Sequence, residues 1–189
     1  MTEFDGDVPG AIEPAYDSET LRETYEDLAA ARARAEELQT DILAAEDTTA
    51  ELLARTDLVD LLLGLGDTDE ALTQAQQAAD RADIAGTAAQ QHLARIRLAR
   101  AYQYAGDFGQ SSAIFTELAH AATQFGPVIE AFTAQAIGAN DYDQGHYREA
   151  LGRFERALAL REQYELSEAE VGQSRTSVAA ATRHLVEGA

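Results

Sequence analysis

The chain has 189 residues, 46% of them hydrophobic and 25% charged, a balance that suits one globular domain or an array of about four helical hairpins. Its formal net charge of -20 argues against nucleic acid and anionic membranes as partners, because both would repel it. The absence of cysteine excludes disulfides, thiolate metal sites and a cysteine nucleophile.

All 14 basic residues are Arg, which fits either a GC-rich coding bias or a high-salt cytoplasm and indicates no particular activity. The opening MTEFDGDVPG is acidic and lacks the apolar core of a secretory signal. The most apolar run, Leu58 to Leu65, is interrupted by Asp60 and Gly64. It falls far short of the roughly 20 residues that a membrane-spanning helix needs. A cytoplasmic protein is therefore expected.

In chain order, residues 1–17 come first, with five acids, no base, and Gly6, Pro9, Gly10 and Pro14 as breakers. They predict a flexible acidic tail ahead of a single helical domain over 18–189. Residues 19–46 predict one long helix, since Leu21, Leu28, Ala35 and Ile42 recur every seven residues. Such a helix would cap the first repeat. The other reading, a dimerising coiled coil, is weakened by Ala at many seam positions. Further helices are predicted at 49–65, 68–84, 88–104, 108–124, 128–142, 147–164 and 168–186. Capping boxes at Thr48/Glu51, Asp67/Glu70, Thr87/Gln90, Asp107/Gln110 and Ser167/Glu170 mark five of the starts. Pro127 after Gly126 suits the first turn of another.

Three stretches align without gaps, from Leu61, Ala101 and Asn140, and their shared glycines Gly66, Gly106 and Gly145 are spaced by 40 and 39 residues. Small residues Ala71, Ser111 and Ala150 follow each glycine at the same distance, then Ala75, Phe115 and Phe154, then Ala78, Leu118 and Ala157. Upstream, Leu58, Leu98 and Ile137 precede Val59, Ala99 and Gly138. This order resembles the tetratricopeptide family, in the extended form of about 40 residues seen in kinesin light chains. The resemblance covers 48–186. It implies an all-α fold, a right-handed α-α superhelix with repeats at about 48–86, 87–126 and 127–166 and a capping helix at 167–186. The third copy departs from the pattern at Asp141, which takes the slot of Leu62 and Tyr102 and predicts a distorted helix end.

No constellation for chemistry emerges, so the chain is expected not to be an enzyme, with no cofactor and no metal. His92, His120, His146 and His184 lie on different helices without the i, i+4 spacing of a zinc motif. His92 and His120 are expected on partly exposed faces and His146 at a helix start. Asp141 to Gly145 resembles the opening of a calcium loop, but Gly145, His146 and Gly152 are wrong for its later positions.

The segment 88–104 carries Arg95, Arg97 and Arg100 and no acid. Asp57 and Asp60 lie 40 residues before Arg97 and Arg100, which predicts repeat-to-repeat ion pairs; the alternative is an anion site on a ligand. By register, the concave groove that the resemblance implies should be lined by Thr56, Asp60, Leu63, Ile96, Arg97, Arg100, Gln103, Gln135, Ala139 and Tyr142. The expected function is a scaffold or adaptor that holds a protein or peptide in that groove. The Lys or Arg with Asn of the family's chaperone-tail clamp is missing, so heat-shock tails are not expected there. Competing readings are a self-association module and the ligand-sensing part of a regulatory system. The last helix, with Val171, Val178, Ala181 and Leu185 on one stripe, favours capping and hence a monomer or weak homodimer.

Overall fold

Helix accounts for 81% of the structure, a computed structural model that describes residue 12 and residues 14–188. Eight α-helices follow one another among the described residues: α1 (Leu28–Ala44), α2 (Thr48–Leu65), α3 (Thr68–Ala85), α4 (Ala88–Tyr104), α5 (Phe108–Ala121), α6 (Pro127–Asp143), α7 (Tyr147–Gln163) and α8 (Glu168–Glu187). A 3-10 turn, Ala122–Phe125, extends α5. Each helix packs on the next, and α2, α4 and α6 also touch in sequence, as do α6 and α8. These four make an inner layer, with α3, α5 and α7 outside it. The chain is an all-α helical-repeat solenoid. Most of the expected flexible tail, residues 1–11 and 13, lies outside the described residues.

The three repeats turn the corner in the same way. Gly66, Gly106 and Gly145 take φ of 80°, 77° and 77°, the left-handed region that costs glycine nothing. Their N–H groups donate to Leu63, Gln103 and Tyr142, and the next residue's N–H donates to Leu62, Tyr102 and Asp141. Both orphan carbonyls at each helix end are thereby satisfied. The distortion expected at Asp141 does not occur, because that position contributes a backbone carbonyl and its side chain is free to differ.

Caps set the helix starts, with some changes of partner. Thr87/Gln90 and Ser167/Glu170 form complete boxes. Asp107 accepts from the Gln110 N–H. The cap of α2 is Asp47 instead of Thr48, accepting from the Ala50 N–H. Asp67 makes no cap bond, and its carboxylate holds Arg32 at 3.0 Å instead.

Interior positions follow the repeat register. Leu58, Leu98, Ile137, Phe115 and Phe154 are all buried, and Ala71, Ala75, Ala78, Ala150 and Ala157 admit the close approach of neighbouring helices. Gly138 is such a contact at its limit, since a Cβ there would lie 2.6 Å from the Phe154 ring. His92 is buried, contrary to the expectation of an exposed face. Its Nε2 lies 2.9 Å from Thr133 Oγ1 and its ring packs on Phe125, so a polar partner on α6 makes its burial tolerable.

The N-terminal segment differs most from the expected single helix over 19–46. Helix begins only at Leu28, where the Asp27 carboxylate accepts from the Ala29 and Ala30 N–H groups. Before it, β1 (Ala15–Tyr16) pairs antiparallel with β2 (Glu23–Thr24) in a two-residue ladder, a small departure from a sheet-free fold. The Asp17 carboxylate accepts from the Glu19 and Thr20 N–H groups and folds the turn. Leu21 sits at φ 56°, which costs a non-glycine residue about 1–2 kcal/mol. Its side chain is buried against Tyr142, Phe154, Ala180 and Ala181, and burial of a leucine contributes about 1.5–3 kcal/mol. That gain outweighs both the strain and the heptad's helical preference. The remaining helix α1 packs on α2 through Ala31, Ala35 and Leu38.

Candidate partner-binding groove

The inner face of the solenoid carries Leu53, Asp57, Asp60 and Gly64 on α2, the matching Leu93, Arg97, Arg100 and Tyr104 on α4, and Val128, Phe132, Gln135 and Ala139 on α6. Of the expected lining residues, Asp60, Arg97, Arg100, Gln135 and Ala139 are placed along this face. Leu63 and Ile96 face the helix-pair contacts and are core residues, 3% and 0% exposed. They are not available to a partner. Residues Leu61 to Leu63 are apolar all round, so periodicity alone does not say which of them turns inward.

The arginines of α4 are paired. Asp60 accepts from Arg97 Nε and Nη2 at 3.2 and 3.1 Å with one oxygen, and from Arg100 Nη1 at 2.5 Å with the other. Arg95 reaches Glu117 at 3.4 Å. Asp57 makes no ion pair among the described residues, because Asp60 takes both of its neighbours' guanidinium groups. Arg97 also lies over the Phe132 ring at 4.7 Å. Burial pulls the Arg100 guanidinium down, but the carboxylates of Asp60 and Glu23 outweigh it and hold its pKa above the ordinary value. Arg100 is thus tied into the fold and is not free to hold an anion.

Part of this concave face is already covered. The β1–β2 hairpin lies across it, with Arg22 on Asp143 at 2.9 Å and over the Tyr104 ring at 4.3 Å. Tyr16 shares a hydrogen bond with Ser177 at 3.0 Å, and Tyr142 donates to the Glu19 carbonyl. Burial pushes the Tyr16 hydroxyl up to about 12, so it remains protonated and able to donate. Glu23 faces Arg100 at 4.0 Å, and burial raises its carboxyl pKa despite that cation. Tyr25 packs against Gly64, where an added Cβ would meet its ring at 2.5 Å.

Under the hairpin the inner helices carry polar side chains. Gln135 donates to Ser177 at 2.8 Å and accepts from Ser174 at 2.8 Å. Gln103 donates to Asp143 at 2.9 Å. Sequence reasoning missed the hairpin's Tyr16, Leu21 and Glu23, along with Tyr104, Phe132 and Arg161. A signal for Arg161 existed, since it stands where Ala82 and Ala122 stand in the other two repeats.

Another part of the face is open. Leu53 is 62% and Val128 52% exposed, and between α2 and α4 a groove is lined by Leu52, Leu53, Leu93, Ala94 and Arg97. No helix among the described residues is long and apolar enough to cross a membrane.

No family model and no curated protein matches the chain. Among solved structures it is similar to BtubC (BKLC) from P. vanneervenii, with a TM-score of 0.58 and 18% sequence identity over 84% of this chain. The chain spans 65% of that protein's length. The likeness is one of fold and supports the helical-repeat architecture.

Proposed function

We infer that this is a tetratricopeptide-like scaffold or adaptor, non-enzymatic and cytoplasmic, whose concave face holds an extended segment of a partner protein. One observation carries the reading: the face already receives a short hairpin in cis, residues 15–24, through Leu21 and the Glu19 backbone carbonyl. A surface that holds one short segment by an apolar anchor and a hydrogen bond to its backbone has the means to hold another. The exposed Leu53 and Val128, with half-buried Leu93 and Phe132, extend the same face beyond the hairpin. The chain's acidity fits a protein partner better than nucleic acid.

The test uses a labelled synthetic peptide of residues 12–26 and the full chain with Leu21→Asp and Tyr16→Ala, which loosen the hairpin. The loosened chain should bind the peptide saturably, and the unaltered chain far more weakly. A loosened chain that keeps its helical spectrum and ignores the peptide would overturn the reading.

A further inference from the structure

Three positions break the repeat pattern toward polarity, and all three meet in one place. Gln103 stands where the other repeats have Leu63 and Tyr142, Gln135 where α4 has Ile96, and Arg161 where α3 has Ala82. The solenoid does not require polar groups there, since the equivalents Leu63, Ile96 and Ala82 are buried and apolar, although Thr56, half-buried, is the equivalent of Gln135 in the first repeat. Together with Arg100 and Tyr104, they line a cavity of about 210 Å³ roofed by the hairpin's Tyr16, Leu21 and Glu23.

Arg161 is the unusual member. It is 2% exposed and makes no ion pair among the described residues. Its Nη1 donates to the Glu170 carbonyl, Gln173 Oε1 and Ser174 Oγ, all of them neutral acceptors. Its Nε has no partner. Burial lowers its pKa and the Glu170 charge only partly offsets that, the opposite of the well-paired Arg100. Glu170 lines the same cavity, but its carboxylate makes no ion pair with Arg161. An interior guanidinium that no carboxylate touches is costly, a cost that a directly paired anion would repay. Gln103 adds a second orphan, since its Oε1 is buried and accepts from nothing. One orphan is a cationic donor and the other an acceptor.

We propose that this cavity is a binding site for a small carboxylic acid that also carries a hydrogen-bond donor, such as a free amino acid or a hydroxy acid. The carboxylate pairs with Arg161 and the donor faces Gln103. A cavity of about 210 Å³ suits an acid of that size. The hairpin closes the site, so the acid enters when the hairpin lifts and holds it down once bound. The site lies under the same hairpin, but acid binding is read on the unaltered chain with no partner segment added, so its failure and that of the partner reading are distinguishable.

The experiment is thermal melting and titration calorimetry on the full chain with L-serine, L-aspartate, lactate and malate, each against sodium chloride of equal ionic strength. Lactamide, which lacks the charge, is the partner control for lactate. At least one acid should raise the melting temperature saturably, lactamide should not, and Arg161→Met should weaken binding by about tenfold or more. If Arg161→Met does not fold, Gln103→Leu, which restores the residue of the first repeat, serves the same comparison. No shift beyond the salt control, equal shifts with lactate and lactamide, or binding that survives the substitution would each overturn the proposal.

Discussion

The Tyr142 hydroxyl donates to the Glu19 backbone carbonyl at 2.9 Å, joining the third repeat to a turn 123 residues earlier in the chain. That bond, the Arg22–Asp143 pair and the burial of Leu21 make the hairpin part of the folded solenoid.

Leu21→Ala should loosen this attachment before anything else. Truncating a buried leucine costs about 2–5 kcal/mol where the surroundings stay in place. Here the hairpin can lift instead, so the loss should sit near the lower end. Hydrogen exchange should accelerate at 15–24 and leave α3 and α5 unchanged, a local opening instead of a global one. Equal acceleration across all helices would contradict the assignment.

Gly138→Ala tests the contact between α6 and α7. Alanine improves helix propensity by about 1 kcal/mol, but the new methyl would stand 2.6 Å from the Phe154 ring and 3.1 Å from Arg153 Cβ. The ring is fully buried and cannot retreat into solvent, so overpacking should win with a net loss of about 1–3 kcal/mol. Adding Phe154→Leu to Gly138→Ala should cost less than the two changes summed. Strict additivity in the melting temperatures would show that they do not touch.

Two buried titrating groups give stability opposite slopes with pH. Burial holds His92 below its ordinary 6.5. The unfolded chain therefore gains a proton first as pH falls, and stability drops below that value. Burial holds Glu23 above its ordinary 4.5. The native state binds that proton first, so stability rises as pH falls through the interval between the raised value and 4.5. Relative to the unaltered chain, His92→Gln should gain stability as pH is lowered from about 7.5 to about 5.5, and Glu23→Gln should lose its advantage as pH falls toward 4.5. Parallel melting curves across its own range for either variant would refute its half of the argument.

The repeat was legible because its signals are local. Gly66, Gly106 and Gly145 need left-handed backbone, and the small and large residues after them recur at fixed steps. The hairpin was not, because its reasons lie far away: Leu21 obeys a heptad with Leu28 and Ala35, and only its distant neighbours on α6, α7 and α8 override that preference. His92 was misplaced for the same cause, since Thr133, 41 residues on, makes its burial tolerable. Within the groove the stripe on α4 could be read only to within one residue. Ile96 and Arg97 are adjacent, and the facing helix decides which of them turns to the core.

Asp60 offers the sharpest contrast with a neighbour on its own helix. Its side chain is 24% exposed and those of Arg97 and Arg100 are 14% and 16%, so the cluster is neither a surface pair nor a fully buried one. Fully buried pairs cost about 3–5 kcal/mol to break by removing one partner, whereas exposed pairs are worth at most about 1 kcal/mol. With this degree of exposure, Asp60→Asn should cost about 1–3 kcal/mol, because two guanidinium groups lose their carboxylate together. Asp57→Asn, one turn away at an exposed position without an ion pair, should cost nothing measurable. High salt screens exposed charges far more than interior ones, so the difference between the two variants should persist in molar sodium chloride. A gap that closes with salt would place the Asp60 cluster at the surface, and the paired arginines would then be free to face a partner.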